Sequence, residues 1–292
     1  MDLKQPLTFE EQVERLRANG IVISNDSSAR SFLEHVNYYR LTGYVLQFRK
    51  SPGNSMIESG HSFEELTKLY DFDTALRDCL RKYLESVEVY YKTQIAHYFS
   101  LEKCLDPPHD QHYDPSNYYN KDGFEKIMTA FEREEGYYLD SLIVKHHKNK
   151  YNGKMPLWVM VELMSFSNVS KLYNAMYRSS EINIAKHLKV SCPTLINHLH
   201  CLSVLRNKCA HGARLYNTHF NPPAKLSTTF LQNNPSVNNA SLFAYILVLK
   251  WRLPTNAERQ SLKKDLAELL GRYKDVVDLS LIGFPANYKN IM

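Results

Sequence analysis

The chain reads as an all-α protein, and three observations predict it. From Ser62 to about Leu101, apolar residues keep helical spacing without interruption: Leu66, Leu69, Phe72, Leu76, Leu80, Tyr83, Val87, Tyr91, Ile95 and Phe99. Capping boxes at Thr8–Glu11, Ser62–Glu65 and Thr255–Glu258 mark helix starts, because the hydroxyl and the glutamate three residues on satisfy each other's backbone N–H groups. The third observation is a helix with clear ends at Cys192–Asn217. Pro193 fits its first turn, Leu195, Leu199, Leu202 and Leu205 line one face, and Gly212 suits a left-handed cap.

In chain order, Phe9, Val13 and Leu16 predict a short helix stopped by Gly20. Ile21-Val22-Ile23 is a brief extended piece, and Asp26-Ser27-Ser28 opens a helix running to about Tyr39. Asn37-Tyr38-Tyr39-Arg40-Leu41-Thr42-Gly43-Tyr44 interleaves aromatics with arginine. Such a segment suits base stacking and phosphate contact, or a helix end packed on the core, and packing is the preferred reading. The turn Ser51-Pro52-Gly53-Asn54-Ser55 leaves room for one small β-hairpin.

The long helix carries Asp71, Asp73, Arg77, Arg81, Glu85, Glu88 and Lys92 opposite its apolar stripe, which predicts a solvated or salt-bridged face. A Pro-rich loop follows at 104–122. His109 and His112 lie in it without the companion ligands of a metal site. Two helices are expected near 122–134 and 136–148, the second ending in the basic run Lys145-His146-His147-Lys148-Asn149-Lys150. That run suits a helix C-terminus, with a phosphate-contacting patch as the alternative. Pro156 opens an apolar, central helix with Trp158, to about Tyr177, and a short helix is expected near 181–189. After Tyr216 comes a long polar loop, then a buried helix at Ser241–Trp251 and a last helix to about Lys274.

Composition is ordinary for a globular chain of 292 residues, with 43% hydrophobic and 23% charged residues. The net charge of +5 is compatible with a polyanionic partner without requiring one. Five cysteines, an odd number with no C-x-x-C pair, fit neither zinc spacing nor a disulfide framework. Reduced, mostly buried thiols are expected. The start of the chain has no signal-peptide pattern, and no apolar run reaches the roughly 18 residues of a membrane span. A cytoplasmic protein without a membrane association is the expectation.

The densest polar group is Arg206, Asn207, Lys208 and His211, with Arg214 and Tyr216 just beyond. An Arg-x4-His pair by itself carries little: Arg30 and His35 form a second one by chance. The setting raises the first. Five helical residues turn a side chain through about 500°, so Arg206 and His211 point roughly 140° apart. One motif surrounds a phosphate poorly, whereas two motifs meeting across a twofold axis surround it well. A homodimer is therefore expected.

Residues 206–217 resemble the active-site motif of the HEPN superfamily, and more narrowly the Abi-like proteins of bacterial abortive infection, the AbiD/AbiF group. Asn37–Tyr44, Tyr70–Arg77, Glu85–Ala96 and Pro156–Phe166 fit the same family, so the resemblance covers about residues 5–220. Gly212 departs from it, standing where a second histidine often follows the first. The resemblance implies a HEPN-like helical bundle at 61–292, with a long helix at about 62–101 and a motif helix at about 193–211. An N-terminal helical extension, 1–60, packs on it. It also implies a metal-independent endoribonuclease in phage defence that needs no cofactor. RNA supplies the 2′-hydroxyl nucleophile, His211 moves protons because imidazole titrates near neutral pH, Arg206 grips the phosphate, and Asn207 orients it or the ring. The products are a 2′,3′-cyclic phosphate and a 5′-hydroxyl. Lys208, Arg214, Tyr216, Tyr38, Tyr39, Arg40, Lys145 and Lys148 are the candidate RNA contacts, and a structured small non-coding RNA is an implied regulatory partner, as in a toxin–antitoxin pair. The competing reading is a non-catalytic RNA-binding protein that uses the same basic cluster.

Overall fold

A computed structural model describes residues 3–51 and 53–292. Met1, Asp2 and Pro52 of the turn read above lie outside them. Among the described residues there are α-helices and short 3-10 turns but no strand or sheet. The small hairpin is reduced to one antiparallel bridge, Arg49 to Ile57. The extended piece at Val22 makes one parallel bridge to Ser62, its N–H reaching His61 O at 2.9 Å.

Helices α1 (Phe9–Ala18) and α2 (Asp26–His35) pack on each other, and Thr8 and Glu11 form the complete capping box that the sequence predicts. α2 does not run to Tyr39. Val36 is extended, and the Asn37 side chain accepts from Tyr39 N at 2.8 Å to start a separate turn, α3 (Tyr38–Thr42). α4 (Phe63–Lys103) spans 41 residues, about 60 Å. Its predicted apolar stripe is buried at all ten positions. Ser62 caps it, but Glu65 turns away from the cap to bond His61 Nδ1 at 2.9 Å, so only half of that capping box forms.

α5 (Lys121–Gly136) and α6 (Leu142–Tyr151) follow in succession. The single helix expected after Pro156 is two, α7 (Leu157–Leu163) and α8 (Phe166–Ala175), and α5 packs on α8. Glu134 of α5 causes the break. Its carboxylate accepts from Ser165 N and Asn168 Nδ2, both at 3.1 Å, and so supplies partners for a new helix N-terminus. Trp158 faces outward at 58% exposure while Leu157, Met160 and Val161 are buried. α9 (Arg178–His187) leads to α10 (Cys192–Ala210), the motif helix. A short helix, α11 (Thr228–Asn233), interrupts the loop expected after Tyr216. α12 (Leu242–Arg252) is buried from Leu242 to Leu249, as its all-round apolar sequence requires. α13 (Asn256–Arg272) starts on the complete Thr255–Glu258 box, and α14 (Tyr288–Ile291) ends the chain.

One continuous apolar core runs through the molecule, from Val13 and Leu16 in α1 to Leu262 and Leu266 in α13. α4 and α10 are its axis. Side-chain bonds from Glu88, Arg81, Arg77 and Asp73 reach residues 206, 209, 213 and 215–216 in that order, so the two helices run antiparallel. Both alternatives expected for the charged face of α4 occur: Asp73, Arg77, Glu88 and Lys92 are buried and salt-bridged in pairs, whereas Asp71, Arg81 and Glu85 are exposed. The five cysteines are free, four of them buried. No helix of the described residues is long and apolar enough to cross a membrane.

Candidate functional site

α10 ends at the motif. Gly212 N bonds Cys209 O at 3.4 Å and Ala213 N bonds Lys208 O at 2.9 Å, the two bonds of a Schellman cap. That cap needs a left-handed residue, and Gly212 has φ +63°. A histidine there would carry the strain of an L residue in that region, which accounts for the departure at this position. His211 sits at the cap itself with φ −91° and ψ 10°. It is exposed, and its ring makes no hydrogen bond among the described residues.

One turn earlier, Arg206 projects towards α4. Its Nε donates to Glu88 Oε2 at 2.8 Å, and the other oxygen of Glu88 takes Lys92 Nζ at 3.0 Å. Glu88 is buried, while Arg206 keeps 37% of its side chain exposed. The terminal guanidinium nitrogens of Arg206 have no partner among the described residues, so the fork opens into solvent. It opens into a cleft of about 370 Å³ lined by Arg81, Glu85, Glu88, Lys92, Arg206 and Ala210, among others. An arginine fork of this kind can hold an oxyanion, and an unbonded, exposed imidazole can take or give a proton. Asn207 points elsewhere, donating its amide to Ser167 Oγ on α8 at 2.9 Å. It ties the motif helix to its neighbour. Lys208 Nζ lies 5.3 Å from the Phe220 ring centre.

Beyond the cap, a buried collar fixes the motif's tail. Asp73, fully buried, accepts from Tyr44 OH at 2.7 Å, from Leu215 N at 3.1 Å, from Tyr216 N at 2.8 Å and from Arg77. Arg77 also reaches Ala213 O at 3.4 Å, and Arg81 reaches Cys209 O at 3.4 Å. Arg40 donates to Gly212 O and Arg214 donates to Gly43 O. The guanidinium of Arg214 lies 5.9 Å from the Tyr44 ring centre. Burial pushes the Asp73 carboxyl above its ordinary range, against the pull of the Tyr44 hydrogen bond and the Arg77 charge. Burial likewise pushes the Cys209 thiol up to about 12, which removes it as a nucleophile at neutral pH.

The structure thus brings Arg40, Arg206, Asn207, Lys208, His211, Arg214 and Tyr216 to one end of α10. Their surroundings differ. Tyr216 is 1% exposed and bonds Gln47 Oε1 at 3.0 Å, so it supports the loop from inside. Tyr38 is half-buried, packed against the core, and Tyr39 is 86% exposed. Lys145 and Lys148 are not drawn to the motif: they pair with Asp140 at 3.2 Å and Glu135 at 3.9 Å within the α5–α6 region. Sequence reading missed Glu88 and Lys92 as neighbours of Arg206, and Asp73 and Arg77 as the collar. The one signal available was the i,i+4 opposite-charge spacing of both pairs on a face read as solvated or salt-bridged.

The described residues hold no group of three metal-ligating side chains. His112, from the loop pair, is buried and bonds Met155 O at 2.8 Å.

A helical bundle whose longest helix grips the charged end of a motif helix defines a class, and comparison with known families supplies the membership. Residues 31–217 match the model of the Abi-like protein family, and the chain belongs to that family. The match begins in α2 and stops at the last residues of the collar, so it contains both the cleft and the elements that hold it. No curated protein and no solved structure matches the chain.

Proposed function

We propose that the protein is a HEPN-type endoribonuclease acting in phage defence by abortive infection. It cleaves RNA through the 2′-hydroxyl to leave a 2′,3′-cyclic phosphate. One observation carries the reading: a half-exposed arginine fork opens into a cleft on the motif helix, and an exposed histidine with an unbonded ring caps the same helix five residues later. Membership of the Abi-like family supports the defence role.

In this reading Arg206 holds the scissile phosphate and neutralises charge as the phosphorane forms. His211 takes the 2′-hydroxyl proton or gives one to the leaving 5′-oxygen. Asn207 acts through the helix it anchors. Two chains pair so that each motif completes the other's site, and a structured RNA occupies the basic surface and regulates cutting.

The test uses purified wild type, Arg206→Ala and His211→Ala on RNA, with end-group analysis of the products. Cleavage falls by about a hundred- to a thousandfold in either variant, with cyclic phosphate ends in the wild type and RNA still bound by His211→Ala. Equal cleavage by all three proteins overturns the reading. RNA binding without cleavage by any of them favours the non-catalytic alternative.

A further inference from the structure

We infer that Glu88 and Lys92 are a positioning pair for Arg206: Glu88 sets the direction of the guanidinium fork, and Lys92 keeps the site cationic. The inference rests on the ribonuclease reading above.

The geometry is specific. Glu88 is buried among α4 and α10 residues, and both its oxygens are taken, one by Arg206 Nε and one by Lys92 Nζ. Use of Nε closes the side-on edge of the guanidinium. A phosphate can then approach only end-on, through the two terminal nitrogens that face the cleft. A carboxylate that engaged those terminal nitrogens instead would compete with the phosphate; this one does not.

Charge adds a second requirement. Glu88 alone would cancel Arg206 and leave only Arg81, itself paired with Asp78, to attract an anion. Lys92 is 7% exposed, so it offers little of its surface to a ligand in the cleft that it helps line. Its buried charge balances Glu88, and the triad keeps one net positive charge, carried by the group that faces the cleft. A lysine brought into low-dielectric surroundings beside a carboxylate serves this purpose. Glu85, which shares the cleft, is exposed and screened by water.

The roles separate in kinetics. Glu88→Ala frees the fork without removing positive charge, so kcat falls by about ten- to a hundredfold while KM does not rise. Glu88→Gln keeps an acceptor for Nε and restores part of kcat. Glu88→Asp keeps the charge but shortens the reach, and behaves like Glu88→Ala. Lys92→Met leaves Glu88 to cancel Arg206; it weakens binding of an uncleavable 2′-deoxy RNA analogue and raises KM more than it lowers kcat.

The experiment measures kcat, KM, analogue affinity and the melting midpoint by circular dichroism for these four variants beside Arg206→Ala. The expected split, with Glu88→Gln folded like wild type, supports the pair. If Glu88→Ala fails to fold, Glu88→Gln and Glu88→Asp carry the test. Wild-type kcat in both, with Arg206→Ala inactive, overturns the positioning role and leaves the ribonuclease reading standing. Parallel loss of kcat, affinity and melting midpoint in the folded variants assigns Glu88 a purely structural role, and also overturns it. Wild-type activity in Arg206→Ala removes the ribonuclease reading first.

Discussion

Two charged patches lie along α4 where it meets α10, built from the same residue types with opposite outcomes. Around Asp73 every lone pair has a donor: Tyr44, Arg77 and two backbone N–H groups converge on one buried carboxylate. Around Glu88 each carboxylate oxygen has one donor, Arg206 Nε or Lys92 Nζ, but the arginine that holds it is not fully matched. Arg206 gives one N–H and keeps its fork open to the cleft. The first patch makes a rigid collar; the second leaves an unsatisfied cation on a rigid mount. Binding chemistry needs the second arrangement, and the first keeps it in place.

The comparison can be broken most forcefully at Asp73. Asp73→Ala leaves Arg77 buried without its partner and releases Leu215 and Tyr216, at a cost of about 3–5 kcal/mol in unfolding free energy. Arg206→Ala leaves the Glu88–Lys92 pair intact but takes the donor from the second, buried oxygen of Glu88, and costs about 1–3 kcal/mol. Urea denaturation of the two variants checks the contrast, and equal losses would erase the distinction between collar and mount.

Acid sharpens it from the far end of α10. His198 is buried and bonds Lys225 O at 3.0 Å, and burial lowers its pKa to about 4 from the ordinary 6.5. Burial lowers His112 as well. A histidine held neutral in the fold binds a proton more readily when unfolded. Its stabilisation is therefore complete above about pH 6.5 and disappears as pH falls towards 4, with His198 alone accounting for roughly 3 kcal/mol by pH 4. His198→Gln should flatten the pH dependence of the melting midpoint over that window. An unchanged profile would mean that His198 binds its proton equally well in the folded and unfolded chain.

Gly212→Ala is a smaller perturbation, between the two patches. Its left-handed φ costs an alanine about 1–2 kcal/mol, read as a lower melting midpoint. Smallest of all is Lys145→Ala with Lys148→Ala, whose exposed pairs contribute less than about 0.5 kcal/mol. A loss of RNA affinity in that double variant extends the contact surface to α6; unchanged affinity confines it to the motif end.

Much of the frame was legible beforehand. The ten-residue stripe of α4, the two capping boxes that form completely and the Gly212 cap all depend on residues within one or two turns of each other, where backbone geometry is set. The breaks at Val36 and Met164–Ser165 were not. The second requires Glu134 to arrive from another helix and offer a better partner for Ser165 N than helix continuation does. Trp158 was misplaced for a related reason: hydrophobicity marks a helix as buried, but only packing decides which of its residues face out.

By itself, then, the sequence determined where the capped helices start and where α10 stops, and that Arg206 and His211 fall at that end. It did so because caps and periodicity act over a few residues. Only the tertiary structure decided which charges are matched. Arg206 meets Glu88 across 118 residues, and Asp73 meets Tyr216 across 143. At those separations a carboxylate's partner is whichever donor the packed core delivers, and no local pattern records it.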